Sequence, residues 1–311
     1  MKVTEVSAAE YGGLFGEASH VFNSVAFAEL NRHKATSLRY LCFGDAKVRF
    51  GLTLGEKAGG LCTPFSAPFG GFEVRGVQRL AYMEDAVSSL KDYVRSDASL
   101  PSRQVMVTLP PLVYGETQLS KWVNVMQRCG TLARVDLNYY FDLSRFPRYE
   151  SVMERNARKN LRHALAEDLK LMKLDSTSTG DIARAYEVIR RNREEHGYPL
   201  RMSLQDVEDT VKVIRADFFV MTHRGVDVAA AQVFHVAKGV AQVVYWGDLR
   251  AYSHLRTMNS LAYMLFAYYH ATGLKVLDIG PSTEGGVPNH GLCEFKEGIG
   301  CSVTPKFSFM L

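Results

Sequence analysis

The order of strand-like and helix-like stretches constrains this chain most, because one series of them occurs twice. Leu38 to Phe43 and Val48 to Leu54 are short β-rich runs joined by Gly44-Asp45, a hairpin dipeptide. An aromatic run at 61–72 (LCTPFSAPFGGF) follows, broken by Pro64, Pro68, Gly70 and Gly71. Residues 77–95 space their apolar positions as a helix does, and 104–109 is β-rich until Pro110-Pro111 stops it. A helix around 116–128 and a strand around 132–143 complete the series. It returns about 170 residues later, a spacing that marks an internal repeat. Runs at 217–222 and 226–235 meet across Arg224-Gly225, and a third occupies 240–246. A long helix over 254–272, a strand at 275–280, a helix at 291–297 and a strand at 301–309 come next. The order of elements, not residue identity, carries the repeat. It predicts two copies of one α/β (α+β) unit, mixed β-sheets flanked by helices, in residues 1–146 and 147–311. Three helices within 151–215 are expected between the two copies of the series.

The charge balance narrows the partners. A formal net charge of +4 over 311 residues permits an anionic ligand but is too small a basic excess for a DNA-binding protein. No apolar run approaches the roughly 20 residues of a transmembrane span. The five cysteines, Cys42, Cys62, Cys129, Cys293 and Cys301, are odd in number and lack metal-type pairs. Buried free thiols in a reducing cytoplasm are the expected state. The histidines show no metal-ligand spacing and no serine sits on a nucleophile elbow, so neither a metal nor a covalent enzyme intermediate is expected.

One helix carries a concentrated charge. Ser151 and Glu154 have capping-box spacing, and Met153, Ala157, Leu161, Ala164 and Leu165 form an apolar stripe. Arg155, Arg158, Lys159 and Arg162 form a second stripe at i, i+3, i+4 and i+7 with no interleaved acid. Such cations repel one another unless an anion lies on them, although a solvated face accounts for the same pattern.

The stretch 277–300 (LDIGPSTEGGVPNHGLCEFKEGIG) reads as a strand, a glycine-rich loop and a short helix. Leu292, Phe295 and Ile299 share one helical face, and Asn289 is placed to cap the helix. A helix N-terminus behind such a loop favours a phosphate, a carboxylate or a developing oxyanion, and Lys296 would add a positive charge. A connecting loop with a solvated lysine is the plain alternative. Ser282, Asn289 and His290 are candidate substrate contacts. Phe65, Phe69 and Phe72 either line an acceptor groove in the first copy or belong to its core.

Taken together, SAPFGGF (66–72), RNARKNLRHA (155–164), NREEHGYPLRMS (192–203) and the 277–300 stretch resemble the FemAB-type branch of the GNAT acyltransferases. The resemblance covers nearly the whole chain and is most specific at the C-terminal stretch. It implies tandem GNAT-like domains and transfer of an acyl or aminoacyl group to an amine of an anionic cell-envelope precursor or related acceptor. The donor would be acyl-CoA or aminoacyl-tRNA, with no tightly bound cofactor. By resemblance, Phe295-Lys296 stands where the family's lysine stabilises the reaction centre or donor phosphate, and Arg155, Arg158 and Arg162 would face the acceptor's phosphates. Acyl transfer to an amine also needs a base, for which Glu284, Asp278 and His290 are candidates, and a proton donor, for which Tyr245 is one. Two departures stand out. The pyrophosphate loop of a typical GNAT has glycines, whereas LRAYSHLRTM at 249–258 has none, and the long helical arm of tRNA-using members is missing. A non-catalytic ligand-binding protein with a degenerate tandem GNAT fold is the competing expectation.

Overall fold

A computed structural model describes all 311 residues. The chain forms two compact units, Met1–Leu137 with Thr304–Leu311, and Asn138–Val303. The first contains β1 (Lys2–Val6), α1 (Ala8–Leu14), α2 (Val25–Leu30), β2 (Ser37–Gly44), β3 (Val48–Lys57) and β4 (Gly60–Thr63). It continues through β5 (Glu73–Val74), α3 (Leu80–Ser96), β6 (Val105–Thr108) and α4 (Glu116–Cys129), and β7 (Thr131–Asp142) leads out of it. The second contains α5 (Tyr149–Val152), α6 (Arg155–Leu165), β8 (Leu169–Leu174), α7 (Thr179–His196), α8 (Leu204–Thr210), β9 (Ala216–His223), β10 (Val226–Ala237) and β11 (Val240–Asp248). After these come α9 (Thr257–Ala271), β12 (Val276–Pro281), the small hairpin β13 (Thr283–Glu284) and β14 (Val287–Pro288), and α10 (His290–Gly298). The last strand, β15 (Ser302–Met310), belongs to the first unit from Thr304 onward.

The repeat holds in the strand pairing. In the first unit β1, β2, β3 and β4 pair antiparallel, and β4 then runs parallel to β6 from Leu61↔Val105 to Thr63↔Val107. In the second, β8, β9, β10 and β11 pair antiparallel, and β11 runs parallel to β12 from Val240↔Val276 to Gln242↔Asp278. Each parallel pairing spans only those few residues, and β12 continues past Asp278 without β11.

The closing strands differ from the expected arrangement. The order of elements puts 132–143 at the end of the first copy and 301–309 at the end of the second. Instead β15 lies antiparallel on β6, and Asn138 to Asp142 of β7 lie antiparallel on β12. Buried polar pairs fit each strand to its place. Asn138 donates from Nδ2 to Asp278 at 2.7 Å, and the Thr108 and Ser308 hydroxyls bond at 2.9 Å. The division therefore falls at Leu137 rather than 146, and Thr304–Leu311 change unit.

Helix α3 packs Met83, Ala86, Val87 and Leu90, and α4 packs Leu119, Trp122, Val125 and Met126, into one core with Phe50, Leu52 and Val107. In the second unit Ala157, Leu161 and Ala164 of α6 are buried as their spacing requires, but Leu165 is exposed. The expected single helix from Ser151 is broken at Met153. Glu154 becomes the N-cap of α6, and the Ser151 hydroxyl donates instead to the Arg148 carbonyl at 2.7 Å. Strand β8 lies between two of the three expected helices, where no element was expected. Its Lys170 and Lys173 sit on an edge strand, where charge discourages further pairing. No helix is long and apolar enough to cross a membrane.

Candidate active site

Past Asp278 the pairing of β12 with β11 ends, and Lys296 meets the carbonyls that follow. The Lys296 Nζ donates to the carbonyls of Ile279 (3.1 Å), Gly280 (2.9 Å) and Pro281 (3.1 Å). An ammonium has three protons, so all are committed. The side chain is only 2% exposed, and burial pushes its ammonium down to about 8. The nearby Asp278 carboxylate and the thiols of Cys301 and Cys293 act in the opposite sense. The Tyr139 ring lies 5.4 Å from Nζ and adds its negative face.

Local sequence explains how α10 delivers that lysine. Gly280 adopts φ +76°, and Gly285 and Gly286 adopt +60° and +84°, the left-handed pair that a tight β13–β14 turn needs. Asn289 donates its N–H to the Ser282 carbonyl at 2.8 Å and accepts the Leu292 N–H on Oδ1 at 3.1 Å. The helix is rotated from the expected face. Cys293 and Lys296 point inward, Leu292 is exposed and Phe295 is half-buried. Phe295 meets the edge of Trp246 at 6.1 Å.

A second group of residues comes from the end of α7. Gly197, at φ +66°, stops the helix. One turn back, the Arg193 guanidinium lies 5.3 Å from the Tyr245 ring and 5.8 Å from that of Tyr198. Its Nε is buried without a hydrogen-bond partner, and burial pulls its pKa below the usual range. Arg193 is near enough to Lys296 for the two charges to repel and lower the lysine further. The Tyr245 hydroxyl accepts the Arg201 N–H at 3.2 Å, and burial raises the phenol's pKa. The Arg201 guanidinium stands 3.8 Å from Glu284.

The start of α6 adjoins the end of α10, with the Glu154 N–H donating to the Gly298 carbonyl at 3.0 Å. Arg155, Arg158, Lys159 and Arg162 line one open depression. Arg162 pairs with Glu150 at 2.7 Å, and Arg158 donates to the Met153 carbonyl at 3.2 Å but leaves Nε buried and unpartnered.

No family model matches the sequence, and no curated protein matches it. Solved structures do match in shape. "Crystal structure of FemX" aligns over 100% of this chain and 98% of its own, with TM-score 0.68 and 12% identity. The structure of L-PGS from Bacillus licheniformis aligns over 97% and 91%, with TM-score 0.62 and 11% identity. A tandem GNAT protein from the clavulanic acid biosynthesis pathway aligns over 100% and 98%, with TM-score 0.53 and 12% identity. The fold is that of the FemAB-type GNAT proteins.

Within this FemAB-type fold the candidate residues separate into several environments. Lys296, Phe295 and Tyr245 share one neighbourhood, together with Arg193 and Trp246. Asp278 is 0% exposed, accepts Asn138 and the Gly280 N–H on Oδ1 (2.7 and 2.8 Å) and Gln242 on Oδ2 (2.7 Å). Its lone pairs are spent holding β12, so it is a structural carboxylate and not the accessible base considered above. Glu284 has an 89% exposed side chain on the β13–β14 hairpin. His290 and Asn289 are exposed, while the Ser282 hydroxyl is buried without a partner. Phe69 is a core residue of the first unit. It packs edge-on against His20, Phe22 and Tyr114 at 4.8–5.1 Å, which removes it as a groove residue. Arg193 is the residue that the sequence reading missed. It lies inside the quoted NREEHGYPLRMS, three positions before His196, on the helical turn that faces Tyr245. Residues 250–255 form a short 3-10 helix followed by Arg256 in the left-handed region, and the Thr257 hydroxyl bonds Asp248.

Proposed function

We propose that this chain is an acyl- or aminoacyltransferase that acylates an amine on an anionic acceptor, with the reactive centre in the second unit. The observation that carries the reading is the half-desolvated Arg193 beside Tyr245 and Lys296, a cationic group whose Nε has no protein partner. A buried unpaired N–H is costly, and an oxygen of the donor or of the tetrahedral intermediate would satisfy it. Lys296 then supplies positive charge beneath the loop and fixes β12, while its protons remain on the backbone. Tyr245, a phenol kept protonated by burial, would return a proton to the leaving group. The resemblance to FemX and L-PGS in fold supports transfer to a cell-envelope acceptor, and the arginine depression on α6 offers phosphate contacts. Neither acyl-CoA nor charged tRNA is favoured as donor by the residues at 249–258.

The non-catalytic reading has its own support in the complete commitment of Lys296 to three carbonyls. A transfer assay with labelled acetyl-CoA or charged tRNA and nucleotide-sugar amine acceptors separates the two readings. Arg193→Gln should lower the transfer rate by roughly a hundredfold or more, the size of one lost oxyanion donor. Calorimetric binding of an acceptor without transfer from any donor would favour the binding module.

A further inference from the structure

A cavity of about 290 Å³ lies in the first unit, lined by none of the residues used in the transfer reading. Phe72, Leu109, Pro110, Leu119 and Trp122 supply its apolar lining, and no charged side chain borders it. Its size is near the lower end for small-molecule sites, which are mostly apolar with a few convergent polar groups. Ser19, Tyr114 and Gln118 border it, and two further polar groups there lack any partner. His20 is 3% exposed, both of its ring nitrogens lack a hydrogen-bond partner, and it borders the cavity. The Trp122 Nε1 is likewise buried and unpartnered on the same cavity. Local structure holds both rings in place. His20 meets Phe69 edge-on at 5.0 Å, and Trp122 stacks on Phe72 at 4.6 Å. The neighbouring Glu73 carboxylate is occupied by Ser19 and Asn23, so it does not compensate the imidazole.

We infer that this cavity binds a small uncharged molecule with a ring-sized apolar body and one amide or hydroxyl group. The imidazole is held neutral, since burial pushes His20 down to about 3. A neutral imidazole offers one donor and one acceptor, and the indole offers a donor. An amide or hydroxyl is complementary to that set, because each both accepts and donates. A carboxylate would be desolvated here without a cation, and a pure hydrocarbon would leave three nitrogens unpaired.

The chain has two tryptophans, so Trp246→Phe leaves Trp122 as the only indole reporter. Titration of that variant with benzamide and with benzyl alcohol should change Trp122 fluorescence saturably. Benzoate and toluene should bind at least about tenfold more weakly, since each 1.4 kcal/mol is tenfold. His20→Phe, which keeps the ring volume and removes both nitrogens, should lose the preference for benzamide over toluene while still folding. Leu119→Trp should fill the space and abolish binding. Equal affinity for toluene and benzamide, or no saturable response to either polar probe, would overturn the inference. Unaltered preference in His20→Phe would do the same.

Discussion

Trp122 and Lys296 occupy the same place in the two units. Each is the seventh residue of the helix that follows the second strand of the parallel pair, and each is 2% exposed. What differs is the backbone beneath. At the end of β6 the Gly70 N–H donates to the Thr108 carbonyl at 2.8 Å, so the main chain satisfies itself and an indole can cover it. At the end of β12 three successive carbonyls have a lysine as donor. One repeat thus uses the position for apolar packing and the other for a buried cation, and only the second has Asp278 nearby to balance that charge. The helix position admits either side chain, and the neighbouring strand end decides which one is stable.

Exchanging the residues is the strongest way to break this comparison. Trp122→Lys would bury a charge with no carbonyl cradle and lose the stack on Phe72. Together these should cost more than about 5 kcal/mol, comparable with the stability of a whole domain. Thermal unfolding should then lose its cooperative transition for the first unit. A variant that melts like the native chain would show that the two strand ends are equivalent after all. Lys296→Met comes next. It leaves the buried Ile279 and Gly280 carbonyls, the part-buried Pro281 carbonyl and Asp278 uncompensated, and a loss of about 3–5 kcal/mol is expected in chemical denaturation. A fall in transfer rate without that loss would mean the ammonium is free to act on substrate rather than bound to the backbone.

The sequence carried the repeat because hairpin dipeptides, proline stops and apolar periodicity are local signals. It carried α10 and its Asn289 cap for the same reason. The exchange of β7 and β15 was not legible, because either strand has the alternation to close either sheet. That choice rests on single contacts such as Asn138 with Asp278, distant in the chain. The orientation of Lys296 was hidden too. Leu292 and Phe295 have the better apolar score, yet the carbonyls of β12 draw Cys293 and Lys296 inward. Arg193 was invisible because an arginine on a charged helix reads as solvated until Tyr198 and Tyr245 are seen on either side of it.

Titration sharpens the comparison more gently, since Trp122 has nothing to titrate. The unfolded lysine has a pKa of 10.5 and the folded one about 8. Between those values the unfolded chain binds more protons, so this group's contribution to stability rises with pH. The rise is at most about 3 kcal/mol, reduced because a neutral amine has only two N–H groups for three carbonyls. The stability difference between the native chain and Lys296→Met should therefore widen from pH 8 to 10.5. Transfer, which uses the positive charge, should fall over the same rise from about pH 8. A difference that stays flat would show that the three carbonyl bonds hold the proton against desolvation.

The smallest effect concerns Glu284, which has no counterpart at the first strand end and tests how far the reactive region extends along the loop. Its side chain is 89% exposed and its contact to Arg201 is 3.8 Å long, so Glu284→Gln should alter stability by no more than about 0.5 kcal/mol. A base acting through water would still show in the pH profile of transfer, because replacing it removes the acid limb whatever its burial. An unchanged profile in Glu284→Gln would leave the amine to lose its proton to solvent and confine the reactive region to Arg193, Tyr245 and Lys296. A profile that loses its acid limb would extend that region onto the hairpin, and the contrast with the first unit would then include a loop as well as a strand end.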